Sequence, residues 1–211
     1  MISDRKMIVF DMDGVLVDVH SSWGWVHDRF EVDNEDSLKA YKRGEIDDLE
    51  FIRRDIDLWR SVDHRISKKD IIDILEEAPL MNGFDECFPG LEQRYDTAII
   101  SGGLKPLAKH IGEPYFDRIM ANDIEEKNGR LTGQGVLEVR LKDKGEAFEK
   151  LLSEMDVEEE ECVAVGNSWV DSPMIERAGL GIAFNPADEK IREGADLVIE
   201  EKDLSLLLDH V

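Results

Sequence analysis

Two aspartates one residue apart, Asp11 and Asp13, close an apolar run in "IVFDMDGVLVDVH" (residues 8–20), with Gly14 directly after them. Two like charges this close are unfavourable at a strand end unless a cation or polar ligand offsets them. Magnesium suits such a pair. It takes a few carboxylates and completes its coordination with water and substrate phosphate oxygens. Other short apolar runs also end in polar groups: Ser101, Asn122 with Asp123, and Asn167. In an open α/β sheet, ligands bind beyond the carboxyl ends of the strands, so these side chains are expected to face one crevice.

The elements that must position them follow from the hydrophobic pattern. The runs "MIVFD" (7–11), "TAIIS" (97–101), "RIMAN" (118–122), "CVAVG" (162–166), "LGIAF" (180–184) and "LVI" (197–199) read as strands covered on both faces. Between them, residues 143–155 place Ala147, Leu151 and Met155 at four-residue spacing, and 104–111, 171–178 and 187–194 also suit helices. The alternation predicts an α/β class, a Rossmann-like doubly wound parallel sheet. Asn128-Gly129, within 123–139, predicts a β-hairpin projecting from that sheet.

Residues 16–80 break the alternation. Leu49, Ile52, Ile56 and Trp59 form a helical stripe. Ser67 and Asp70 read as a near capping box, with Ile71, Ile72, Leu75 and Ala78 turned inward. The expected organisation is a catalytic core of residues 1–15 and 81–211 with a helical cap of residues 16–80 inserted, and "PLMNGF" (79–84) as the return hinge.

The chain has 211 residues, 42% of them hydrophobic, enough for a sizeable core. A net charge of −23 argues against bulk electrostatic binding of nucleic acid or anionic membranes. The two cysteines, Cys87 and Cys162, make no disulfide framework or zinc cluster. No secretory pattern opens the sequence, and no run approaches the ~20 apolar residues of a membrane span. The expectation is a cytoplasmic protein with reduced cysteines. No P-loop pattern is present, which argues against nucleotide hydrolysis of that kind.

The ordered set of motifs carries a resemblance. "DMDGVLVD" resembles the first motif of the haloacid dehalogenase-like (HAD) phosphatases, "SGG" (101–103) the second, "KDKGEAF" (142–148) the third and "GNSWVDSPM" (166–174) the fourth. The helical insert, the "NGRLTG" hairpin and "SGG" with "KGEAF" are similar to the phosphoserine phosphatase branch. The resemblance implies a magnesium-dependent phosphatase that hydrolyses a small phosphorylated metabolite, a phosphomonoester, through an aspartyl-phosphate. Asp11 matches the nucleophile and Asp13 the general acid and base. Ser101 and Gly102 match the groups that bind phosphoryl oxygens, and Lys144 the cation that offsets their charge. Magnesium would be held by Asp11, the backbone carbonyl of Asp13, and Asn167 with Asp171 of the fourth motif.

Three positions depart from that pattern. Asn167 stands where the fourth motif usually has aspartate. His20 stands where phosphoserine phosphatases place an acid for the substrate ammonium, and Ile56 where they place an arginine for its carboxylate, with Arg53 and Arg54 nearby. His20 and Arg54 are therefore the candidate substrate contacts, and Trp23 and Trp25 could line a site for an apolar or ring portion. A phosphomutase and a non-catalytic phosphate-binding relative are the alternatives. Asp13 argues against a dehalogenase, and the length and insert argue against a signalling receiver.

Overall fold

The strand that ends in the two aspartates is buried on both sides. In the computed structural model, which describes residues 6–211, β1 (Met7–Phe10) lies at the centre of the sheet. Its side chains alternate between two cores, as the pleat requires. Ile8 and Phe10 join a cluster with Phe88 and Phe116, while Met7 and Val9 join one with Phe148 and Leu151.

Around β1 the chain alternates as the pattern predicts. α1 (Ser22–Phe30), α2 (Glu35–Lys42), α3 (Asp48–Val62) and α4 (Lys68–Leu75) come first, followed by α5 (Phe84–Leu91). Then come β2 (Asp96–Leu104), α6 (Lys105–Gly112), β3 (Arg118–Lys127) and β4 (Arg130–Val136). Next come α7 (Gly145–Met155), β5 (Cys162–Gly166), α8 (Ser172–Ile175), β6 (Leu180–Phe184), α9 (Glu189–Gly194) and β7 (Leu197–Ile199), and a 3-10 helix, Leu204–Asp209, follows. The sheet order is β4-β3-β2-β1-β5-β6-β7. All pairs are parallel except β3 with β4, which form the hairpin at Asn128 and Gly129, both with positive φ. β1 has β2 on one side and β5 on the other, so the chain reverses its direction of winding there. This is where an open sheet forms its binding crevice.

Four helices, α1 to α4, fill the stretch between β1 and residue 75. Ser67 and Asp70 form a complete capping box on α4. On α3, Ile52, Ile56 and Trp59 are buried, but Leu49 is 47% exposed, so the stripe begins one turn later than its spacing predicts. On α4, Ile74 is buried with Ile71 and Leu75, whereas Ile72 is only half-buried. α3 leans on the hairpin. A Cβ on Gly135 of β4 would fall 2.2 Å from Ile52 Cγ2, so only glycine allows this approach. Cys87 and Cys162 are free and buried, and burial pushes both thiols up to about 12. No helix among the described residues is long and apolar enough to cross a membrane.

Candidate active site

The crevice lies at the carboxyl ends of β1, β2 and β5. Asp11 follows β1 directly and is 6% exposed. Its Oδ1 accepts from the Met12 amide at 2.7 Å and lies 2.6 Å from Lys144 Nζ. Its Oδ2 has no protein partner among the described residues, and Asp11 lines a cavity of about 490 Å³. The chain turns sharply at Gly14, φ +78°, a conformation that other residues adopt only at a cost. The Asn167 side chain packs over that glycine, where a Cβ would lie 2.2 Å from its Nδ2.

Asp13 is held by the start of α1. Its Oδ2 accepts from the Ser22 amide at 2.8 Å and the Ser22 hydroxyl at 2.9 Å. The Ser22 hydroxyl in turn accepts from the Leu104 amide, which ties the end of β2 to Asp13. A Cβ on Gly103 would collide with both Ser22 and Asp13. The other carboxyl oxygen of Asp13, Oδ1, is buried with no partner. Burial raises the Asp13 carboxyl above its ordinary value, against the opposing Ser22 hydrogen bonds. Ser22 was not legible as a functional residue, because its contacts are made across the insert rather than within a motif.

Lys144, 2% exposed, sits just before α7 and pairs with Asp11 Oδ1 and Asp171 Oδ1, each at 2.6 Å. Burial pulls its ammonium down, but the two carboxylates outweigh it and hold the group above its ordinary value. Burial pushes the Asp11 carboxyl up to about 7; Lys144 opposes this, while Asp171 and Asp13 add to it. Asp171 is fully buried. Its Oδ2 accepts from the Asn167 amide, the Ser168 amide and the Ser168 hydroxyl. With Oδ1 on Lys144, Asp171 offers no unengaged oxygen to a cation. It orients Lys144 and fixes the loop that carries Asn167.

Ser101 is buried beside the cavity, and its oxygen accepts from the Gly103 amide at 3.1 Å. The hydroxyl hydrogen is left to donate. Gly102 lines the same cavity. Asn122 is a polar strand end of another kind. Its amide donates to the carbonyls of Gly102 and Val139, and its oxygen accepts from the amides of Glu138 and Val139. All of its hydrogen-bonding capacity ties β2 to the segment leading to Lys144, and none is left for a ligand. His20 is exposed and lines the cavity. Arg54 is not brought to the cavity, because Glu50 engages its guanidinium at 2.8 Å. Arg53 is likewise bound by Glu50 and Asp57. Trp23 lines the cavity with its Nε1 on the Gly102 carbonyl, whereas Trp25 bonds the Ile74 carbonyl.

Two buried carboxyls, Asp11 and Asp171, share one ammonium, Lys144, and beside them the half-buried Asp13 keeps its buried Oδ1 without a hydrogen-bond partner. That imbalance calls for a cation. Among the described residues, no three acidic, histidine or cysteine side chains converge as a ligand set. Magnesium does not need one, since it is held by one or two carboxylates, neutral oxygens and water. The residues fit the ion.

Residues 5–179 match the family model for haloacid dehalogenase-like hydrolase. The phosphoserine phosphatase of Methanocaldococcus jannaschii is 30% identical over 211 residues, covering 98% of each chain. That of Archaeoglobus fulgidus is 31% identical over 207 residues, which are 95% of this chain and 58% of the relative. A structure described as a substrate-bound phosphoserine phosphatase complex superposes with a TM-score of 0.81 at 27% identity, covering 98% of both chains. A phospho-aspartyl intermediate analogue of phosphoserine phosphatase gives 0.79 at 27% identity, covering 99% of this chain and 100% of the other.

Proposed function

The chain belongs to the haloacid dehalogenase-like hydrolases and is a phosphoric monoester hydrolase, and we propose that Asp11 is its nucleophile and Asp13 its general acid and base. The observation that carries this assignment is the asymmetry of the two carboxyls. Asp11 Oδ1 is held by the Met12 amide and Lys144, which leaves Oδ2 to attack phosphorus. The bond from Asp11 to phosphorus forms as the bond to the leaving alcohol oxygen breaks. Asp13 Oδ2 is held by Ser22, so its proton is carried on the unpartnered Oδ1 and passes to the leaving oxygen. In the second half-reaction, water attacks phosphorus as Asp13 takes its proton, and the bond from phosphorus to Asp11 breaks, releasing inorganic phosphate and restoring the Asp11 carboxylate. The Ser101 hydroxyl and the Gly102 amide serve the phosphoryl oxygens, and Lys144 offsets their charge. Residues 16–80 act as the cap, closing over the leaving group.

Magnesium would be held by Asp11, the backbone carbonyl of Asp13 and the side-chain oxygen of Asn167. When bound, it supplies positive charge against the phosphoryl oxygens. Asn167 is a neutral donor where an acid would add charge, so the ion is held less tightly. Asn167→Asp is expected to lower the half-saturating magnesium concentration roughly 10-fold, of the order of one charge-assisted contact. Magnesium binding measured by calorimetry on the free protein checks it, and unchanged affinity would remove Asn167 from the metal site.

The reading as a whole is tested by phosphate release from phosphoserine, sugar phosphates and aromatic phosphoesters, with and without magnesium. Magnesium-dependent release is expected. A phosphoryl group moved between hydroxyls of one substrate, with none released, would make the protein a mutase.

A further inference from the structure

The cavity extends from Asp11 into the insert, and its far wall holds a buried polar group that the mechanism does not use. Asp55 of α3 is 2% exposed and lines the cavity. Its Oδ1 accepts from Asn34 Nδ2 at 2.9 Å and lies 3.4 Å from His27 Nε2. His27 is itself 5% exposed, and its Nδ1 accepts from Trp59 Nε1 at 2.8 Å, which places the ring hydrogen on Nε2. That Nε2 has no hydrogen-bond partner. Asp55 Oδ2 has no hydrogen-bonding partner among the described residues. No lysine or arginine among them pairs with Asp55. Burying a carboxylate is costly unless its oxygens are hydrogen-bonded or paired, and only Oδ1 of Asp55 has such partners, so Oδ2 is open to a cation from solution.

The neighbouring walls are aromatic. Trp23 stacks on Trp59 at 5.5 Å and Tyr41 on Phe51 at 4.8 Å, and Trp23, Tyr41 and Phe51 line the cavity. Aromatic walls of this kind pack against an apolar or ring body. Two lysines of this part of the lining carry positive charge: Lys142, held on the Tyr41 carbonyl at 2.9 Å and over its ring, and the exposed Lys42. No arginine lines the cavity to clamp a substrate carboxylate, because Arg53 and Arg54 are bound by acids of their own helix and position 56 is a buried isoleucine.

We infer that Asp55 is a specificity residue that takes a cationic nitrogen on the alcohol portion of the substrate, so the preferred substrate is a phosphorylated amino alcohol with an apolar or ring body and no carboxylate requirement. This rests on the phosphatase reading above. Asn34 fixes one carboxyl oxygen and leaves the other for the ammonium. The aromatic walls pack the body between that ammonium and the phosphate.

The test compares kcat/KM at saturating magnesium for matched probes: O-phosphotyramine, which carries the ammonium; 4-ethylphenyl phosphate, which lacks it; and O-phosphotyrosine, which adds a carboxylate. O-phosphotyramine is expected to exceed 4-ethylphenyl phosphate roughly 10- to 100-fold, as one buried charge-assisted contact would give. O-phosphotyrosine should gain nothing further. In Asp55→Asn the preference should vanish while 4-ethylphenyl phosphate turnover stays, which also shows that the variant folds. Free tyramine should inhibit wild-type turnover of 4-ethylphenyl phosphate, and 4-ethylphenol should not. Equal turnover of the matched pair, or a preference kept in Asp55→Asn, would overturn this inference alone. Release from none of the three probes, with phosphate still released from phosphoserine or a sugar phosphate, would also overturn this inference alone; release from no compound of either set would overturn the phosphatase reading and this one with it.

Discussion

Asp11→Asn is expected to lower phosphate release roughly 10⁴-fold or more, the scale seen when a covalent nucleophile is removed. The amide keeps the shape of the carboxyl and can still accept from the Met12 amide and Lys144, so the loss comes from chemistry and not from collapse. Stability separates the two. Burial pushes the Asp11 carboxyl up to about 7, well above the ~3.9 of an exposed aspartate. A group raised in the folded state contributes its full stability below its unfolded value and loses it as pH climbs through the folded one. Asn has no such loss. In chelator at pH 8, where the native carboxyl must be ionised in its buried place, Asp11→Asn should therefore melt at or above the wild-type Tm. Residual turnover above about one per cent, in a preparation free of wild-type contamination, would move the nucleophile to another residue. A lowered Tm at pH 8 would instead assign the Asp11 carboxylate a structural role.

Much of the fold behind that prediction was legible because it is local. The runs at residues 162–166 and 180–184 match β5 and β6, since a strand covered on both faces needs every residue apolar. The run at 197–199 matches β7, but this is an edge strand with Val198 36% exposed, so it is not covered on both faces as its pattern predicts. Asn128-Gly129 gave the hairpin for an equally local reason: the turn demands positive φ at both residues. Helix α5 was not legible. Its sequence "FDECFPGL" contains Pro89 and Gly90, the two weakest helix formers, yet Phe84, Cys87, Phe88 and Leu91 make one buried face. There, packing outweighs propensity.

The candidate site divides in the same way. Asp11, Asp13, Ser101 and Lys144 are legible from short motifs, and the fold brings them to one cavity. What holds them is not legible. Ser22 reaches Asp13 across the first turn of α1, and Asn122 spends its amide on a segment about 17 residues further along the chain. Arg54 shows the opposite error. A cationic side chain near the right position reads as a ligand clamp, but an acid four residues earlier on the same helix face engages it. Asp55, one residue along, reads as an ordinary helix acid. Only the packing of α1 against α3 reveals that it is buried beside His27 and faces the cavity.

Lys144→Met should cost both activity and stability, and pH should separate the two. The methionine fills the space of the lysine stem but leaves Asp11 and Asp171 buried with no ammonium between them. Removing one partner of a buried ion pair typically costs about 3–5 kcal/mol, because the remaining charge is uncompensated. Without Lys144, which opposes the effect of burial, the Asp11 carboxyl rises further above its ordinary value. The penalty is therefore small at pH 5, where Asp11 is neutral, and grows as pH climbs. The gap in Tm between wild type and Lys144→Met, measured in chelator, should widen from pH 5 to pH 8. Turnover should fall roughly 10³-fold at either pH, since the charge that offsets the phosphoryl oxygens is gone. Adding Asp171→Asn to Lys144→Met should then recover much of the stability and none of the turnover, since it removes one of the two facing charges without restoring the cation. A gap in Tm that does not change with pH would mean that the lysine stem, through packing, matters more than its charge. Recovery of turnover in the double variant would mean that Lys144 serves only to neutralise Asp171 and takes no part with the phosphoryl group.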